Sequence, residues 1–156
     1  MAEIELTNGG VAIVDDADHE FLSQWSWYAR KGSGQTTWYA VSTGPEKLLM
    51  HRVILLPSPS REVDHINHDG LDNRRCNLRS CSTAENQHNN RPIKGSSKFK
   101  GVDRRGDRWR ARIRVHGSPI YIGVFRSEEL AAAAYDEAAR LHFGDFACLN
   151  FPGGWS

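Results

Sequence analysis

Residues 108–115 read Arg-Trp-Arg-Ala-Arg-Ile-Arg-Val. Successive side chains of a strand point to opposite faces, so a strict period of two demands a strand; on a helix the same residues would scatter charge around the cylinder. Arg108, Arg110, Arg112 and Arg114 therefore share one face, and Trp109, Ala111, Ile113 and Val115 share the other. The apolar face needs a cover, and a helix over about 128–142 supplies it. Ser127 is a good N-cap, Glu128 and Glu129 suit the first turn, Ala131 to Ala134 are strong helix formers, and Gly144 ends the run. Further short strands are expected at Phe99–Val102 and Ile120–Phe125, and three strands with one helix make a minimal two-layer domain.

Four like charges on one strand face repel unless something anionic meets them. Arginine is the commonest reader of guanine edges in the major groove, which a β-sheet can enter. The charge is local. Residues 93–126 hold 10 Lys/Arg against 2 Asp/Glu, whereas residues 1–50 hold 3 against 7 and residues 127–156 hold 1 against 5, all within a net charge of +1. A basic block between acidic ones points to a directed polyanion-binding surface. Hydrophobic residues at 39% argue against wholesale disorder. No apolar run approaches the roughly 20 residues of a membrane span, no signal peptide is visible at MAEIELTNGG, and a cytoplasmic location without membrane partners is expected. Cys76, Cys81 and Cys148 make no disulfide framework, and free thiols are favoured over a zinc shared by Cys76 and Cys81 with histidines.

The first fifty residues read as strands and turns: a hairpin around Asn8-Gly9-Gly10, then one from Trp25–Ala29 through Gly32-Ser33-Gly34 to Thr37–Val41. The alternating aromatics of the second hairpin are read as core. Pro57-Ser58-Pro59-Ser60 is a break, and residues 93–98 read as a linker.

Between those breaks lies the chemistry. Ser82 and Glu85 form a capping-box signature, so a helix begins near Thr83, and Asn86 and Asn90, four apart, should share its face. Asp64, Asn86 and Asn90 are hard oxygen ligands suited to a magnesium-like ion, and His65 beside Asp64 titrates near neutral pH. Phosphodiester hydrolysis needs a base for water and a cation for the charge building on phosphate and leaving oxygen. Arg52, Arg74, Arg75 and Arg79 are phosphate-clamp candidates, one of them structural. His51 and His68 are further phosphate-contact candidates, for which a structural or solvent-facing role is favoured.

Asp64-His65, Asn77-Leu78-Arg79 twelve positions on, Asn86 and Asn90, with Met50-His51-Arg52 upstream, resemble the HNH endonuclease family over about residues 46–91. The resemblance implies a ββα-metal fold: Asp64 as metal ligand, His65 as general base, Asn77 as brace of the loop carrying His65, and Asn86 as second ligand. Asn90 stands where the family often has His. Asn86 replaces the final His of the name, a variant of phage and intron-associated members. One divalent ion is implied, with magnesium expected and manganese the alternative.

Ser97–Val102, Trp109–Ile113, Tyr121–Phe125, Ala132–Ala139 and Leu149-Asn150-Phe151-Pro152 resemble the APETALA/ethylene-response-factor DNA-binding domain over about residues 96–152. That family's three-stranded antiparallel sheet, backed by one helix, lies in the major groove. The resemblance places Lys100, Arg105, Arg112, Arg114 and Tyr121 on DNA, to which the alternation adds Arg108 and Arg110. Asp103 stands where an arginine is usual in plant members, and Pro119 replaces another, so the family's base preference does not transfer.

The combined expectation is an α+β chain: an N-terminal β subdomain (1–45), a nuclease module (46–92), a linker (93–98) and a DNA-binding domain (99–152). It would cut double-stranded DNA as a monomer or homodimer, in the manner of homing-type endonucleases of phages and mobile elements. The rival reading is a DNA-binding regulator with a vestigial centre, and a weaker one is an RNA-directed nuclease, disfavoured because side chains cannot read the narrow major groove of A-form RNA.

Overall fold

The computed structural model describes residues 1–32, 37–90 and 95–155, and the chain falls into two compact units, Met1–Asn86 and Gln87–Ser156. Its secondary structure is mixed α and β in small antiparallel sheets. No helix among the described residues is long and apolar enough to cross a membrane.

In the first unit, β1 (Ala2–Glu5) pairs with β2 (Val11–Val14), and β3 (Trp27–Arg30) with β4 (Tyr39–Ser42), both antiparallel. Gly9 and Gly10 take φ of 93° and 85° in the first turn, a region that glycine alone enters freely. The turn foreseen at Gly32-Ser33-Gly34 runs into residues outside those described. One helix interrupts the first fifty residues, which read in sequence as strands and turns. Helix α1 (Asp16–Leu22) places Asp16 and Asp18 in its first turn. The carboxylate of its N-cap, Asp15, accepts from the Arg75 backbone N–H at 2.8 Å, and Asp18 takes the Arg75 guanidinium at 2.7 and 2.8 Å. A helix of seven residues is marginal alone, and this one depends on an arginine 57 positions away. Helix α2 (Met50–Leu55) buries Met50, His51 and Ile54 on one side and ends at Leu56 with φ 46°.

Strand β5 (Glu62–His65) pairs antiparallel with β6 (Leu78–Cys81), setting Asp64 opposite Arg79. Helix α3 (Thr83–His88) follows, opened by the foreseen capping box: Glu85 accepts from the Ser82 N–H at 2.7 Å, and Ser82 Oγ accepts from the Glu85 N–H at 3.3 Å. One hydrophobic cluster joins Val14, Leu22 and Trp27 with Met50, Ile54, Val63 and Leu78, so residues on both sides of position 45 share a core. Trp27 is fully buried and donates its indole N–H to the Leu22 carbonyl at 2.8 Å, whereas Trp38 is half exposed. Burying such side chains is worth roughly 1.5–3 kcal/mol each.

In the second unit, β7 (Val102–Arg105), β8 (Arg108–Val115) and β9 (Ser118–Phe125) form one antiparallel sheet in that order, and α4 (Glu128–Phe143) packs on it. Ser127 Oγ accepts from the Leu130 N–H at 3.1 Å, and Gly144 caps the far end, as the sequence signals predict. The first strand begins at Val102, not Phe99. Phe99 packs against Phe151, and the Lys100 N–H donates to Asn150 Oδ1 at 2.7 Å, so the expected start of the strand is spent on tying down the C-terminal segment. Buried Asp136 holds the same segment, accepting the Asn150 and Phe151 N–H groups at 2.8 Å each. A bulge shifts the register: Ala111 faces Gly123 and Arg112 faces Tyr121, leaving Ile122 as the extra residue.

Candidate functional site

The connection between β5 and β6 is held from within. Asn77, buried at its end, donates Nδ2 to the Asp72 carbonyl at 2.7 Å and accepts the Asn67 N–H at 3.0 Å. Asn67 donates to Asp72 Oδ2 at 2.8 Å, and Arg74 forks onto Asp72 at 2.7 and 2.6 Å. Of the clamp candidates, Arg74 and Arg75 are thus ion-paired to Asp72 and Asp18 within the unit. Asn77→Ala should leave two backbone groups in the loop without partners. The expected loss is about 1–3 kcal/mol, read as a lower urea midpoint, with the cleavage rate falling alongside.

His65 ends β5 buried. Its Nε2 lies 3.4 Å from Oδ1 of Asn73, which is fully buried and whose Nδ2 has no hydrogen-bond partner among the described residues. The rings of His51 and Tyr39 stand 5.0 and 5.7 Å from the His65 ring. His51 is equally buried, and its Nδ1 has no hydrogen-bond partner either. Burial, then the neighbouring His65 and Arg52, push the His51 imidazole down to about 3, so it is neutral at any working pH. Burial also lowers His65, against the opposing pull of Asn73 and the carboxylates of Asp64, Asp69 and Asp72. Tyr39 is raised by burial and by the charge of Asp64. The sequence gives Asn73 no role, and for His51 it favours a structural or solvent-facing place over a contact with phosphate. Only the packing distinguishes them, since a polar residue in a polar loop carries no signal of burial.

Asp64, also buried, receives the Arg79 guanidinium at 2.6 and 2.8 Å. Arg79, expected on phosphate, is therefore committed to the carboxylate that faces it across the ladder. Asn86 donates Nδ2 to Glu62 Oε2 at 2.5 Å, and Thr83 donates to Glu62 Oε1 at 2.8 Å. Asn90 departs from its expected place: α3 ends at His88, so Asn90 does not share a helical face with Asn86, and its backbone carbonyl accepts from Lys100 Nζ at 2.6 Å. A cleft of about 470 Å³ is lined by Arg30, Tyr39, Lys47, His51, Arg52, Glu62 and Asn86. Arg30 and Lys47 add positive charge there that no motif announced.

Among the described residues no group of three His, Cys, Asp or Glu side chains could hold a metal ion. The oxygens expected to hold an ion are those of Asp64, whose Oδ2 also takes Arg79, and the amide oxygen of Asn86, whose NH₂ end is occupied by Glu62. Two hard oxygens fit a divalent ion that retains several waters, as magnesium does.

On the sheet of the second unit, Arg108, Arg112, Arg114 and Tyr121 are exposed opposite the α4 side, as alternation requires. Arg110 is only 20% exposed because it forks onto Asp103. Lys100 is not on this face: Nζ donates to the His88 and Asn90 carbonyls at 2.5 and 2.6 Å, correcting its DNA-facing assignment. An ammonium beside carbonyls at a helix end satisfies groups the helix cannot satisfy itself.

A two-stranded antiparallel ladder ends its first strand on Asp64-His65 and is followed in the chain by a short helix. No protein-family model matches the chain. It is 31% identical over 150 residues to an uncharacterized HNH endonuclease of Acanthamoeba polyphaga mimivirus, covering 91% of this chain and 75% of that one. The chain belongs to the HNH endonuclease family. It is also 42% identical over 64 residues to dehydration-responsive element-binding protein 2A and 47% over 62 residues to an ethylene-responsive transcription factor, both of Arabidopsis thaliana. Those matches take in 39% and 37% of this chain but only 19% and 14% of the plant proteins.

Proposed function

We propose that this protein is a divalent-metal-dependent endonuclease that hydrolyses phosphodiester bonds of double-stranded DNA, held on its substrate by the arginine face of the second unit. The observation that carries the reading is His65: buried, set against Asn73, framed by His51 and Tyr39, and next in the chain to Asp64. Asp64 and Asn86 would hold the ion, whose chemistry is to stabilise negative charge on the phosphate and leaving oxygen. The Asn73 contact fits the His65 tautomer that carries its proton on Nε2, in which Nδ1 is the basic nitrogen. His65 Nδ1 takes the proton of the attacking water. His51, neutral throughout, keeps a second charge out of the cluster, and Arg30, Lys47 and Arg52 give the cleft the sign of charge a phosphate strand needs. The protein acts as a monomer or homodimer on DNA.

The test is incubation of the protein with supercoiled plasmid and magnesium or manganese, with and without chelator. Conversion to nicked or linear DNA that chelator stops supports the reading. No conversion of any duplex, including one chosen by binding selection, sinks it in favour of the regulator.

The pH profile is a sharper check. The base must be neutral, and burial holds His65 below its ordinary range, so the acid limb of cleavage should lie below pH 6.5. A base of ordinary pKa would keep only about a quarter of its neutral form at pH 6. Cleavage at pH 6 should therefore exceed a quarter of its plateau, and a limb at or above 6.5 would refute the assignment.

A further inference from the structure

Asp103 lies on the edge strand β7, among Arg105, Arg110 and Arg112 of the arginine face. It lies opposite Arg110 in the β7–β8 ladder and takes its fork on both oxygens, Nε to Oδ1 at 3.0 Å and Nη2 to Oδ2 at 2.8 Å. Arg105 Nε lies 3.6 Å from Oδ2, and Arg112 Nε 3.6 Å from Oδ1. One carboxylate is thus shared by three guanidiniums, while Arg108 and Arg114 carry no salt bridge among the described residues. The repulsion expected of a row of arginines is relieved internally.

Two consequences follow for a polyanion arriving at this face. A fixed negative charge among these arginines opposes any phosphate backbone, whatever its sequence, and so weakens the part of binding that carries no sequence information. The same carboxylate fixes Arg110 in a planar fork, leaving its other donors in one direction. A preorganised guanidinium loses less freedom on pairing with a base edge than a mobile one. A carboxylate is also an acceptor only, so at a base edge it tolerates an amino group and rejects a carbonyl or ring nitrogen.

We propose that Asp103 is a specificity-determining residue of the DNA-binding face, lowering affinity for DNA in general while holding Arg110 for sequence-selective contact. This rests on the proposed DNA-binding role of the second unit.

The experiment uses the full chain with its cleavage blocked by chelator. A randomised-duplex selection defines the preferred site, and binding to that site and to a scrambled duplex is measured across salt concentrations for wild type, Asp103→Asn, Asp103→Glu and Arg110→Lys, with thermal melts confirming fold. Asp103→Asn should tighten scrambled-duplex binding by about tenfold, the order of one charge-assisted hydrogen bond. It should also steepen the dependence of log K on log salt by about 0.9, one more phosphate neutralised, and lower the preferred-to-scrambled ratio. Arg110→Lys keeps the charge but not the fork, so the ratio should fall with the salt slope unchanged. Asp103→Glu should restore part of the ratio. Unchanged selectivity in both Asp103→Asn and Arg110→Lys overturns the proposal, as does a wild type that binds DNA without sequence preference. A wild type that binds no duplex overturns the DNA-binding reading itself, a distinct outcome.

Discussion

Replacing His65 with alanine should reduce metal-dependent plasmid cleavage by about 10²–10⁴-fold, the range a positioned general base contributes, while DNA binding by gel shift stays within a factor of about two. The separation is expected because His65 lies in the first unit and the arginine face in the second. His65 is also buried against Tyr39, His51 and Asn73, so truncation opens a cavity and costs stability. His65→Gln, which fills most of that space and can still meet Asn73, is the control: it should fold like wild type and cleave as poorly as the alanine variant. Rapid cleavage by either variant would remove His65 from the role of base. Loss of cleavage only where the melting temperature falls would make its role one of packing.

Gly101→Ala should be the most damaging single methyl in the second unit. Gly101 has φ 74°, and a Cβ there would collide with the Tyr135 ring and stand 2.7 Å from the Arg112 carbonyl oxygen. Tyr135 is buried under the sheet and cannot swing away, and the carbonyl belongs to β8, where it cannot yield without breaking the ladder. Left-handed backbone costs a non-glycine residue about 1–2 kcal/mol, and overpacking adds about 1–3. The sum is a large part of the roughly 5–15 kcal/mol that holds a domain folded. The expected result is loss of specific gel-shift binding with a lower melting transition. A variant that melts and binds like wild type would mean that Tyr135 and β8 can move apart, contrary to the packing described.

The Asp103 clamp illustrates what sequence reading missed and why. With a two-residue turn at Gly106-Asp107, Arg105 pairs with Arg108, and register then brings Asp103 opposite Arg110. An expected first strand at residues 99–102 leaves Asp103 outside the ladder, and the sequence then marks its carboxylate only as a departure from a family pattern. Phe99 and Lys100 look strand-like in isolation but are held by Phe151 and Asn150, some fifty residues away. Lys100 illustrates the same limit: its charge was legible, whereas its burial against the carbonyls of His88 and Asn90 was not.

What the sequence determined by itself is what contiguous residues encode. The alternation of residues 108–115 specified a strand with one basic and one apolar face, and Ser127 with Gly144 bounded the helix that covers it. Ser82 and Glu85 placed the start of α3, and the order Asp64, His65, Asn77, Asn86 pointed to the nuclease family. Tertiary structure alone decided that Arg75 would organise α1, that Arg79 would serve Asp64 rather than phosphate, and that Asn73 and His51 would enclose His65. The physical reason is common to all of these. Periodicity and capping act over one or two turns of chain, whereas ion pairs across a ladder and buried polar contacts depend on register and packing between segments, which exist only once the chain has folded.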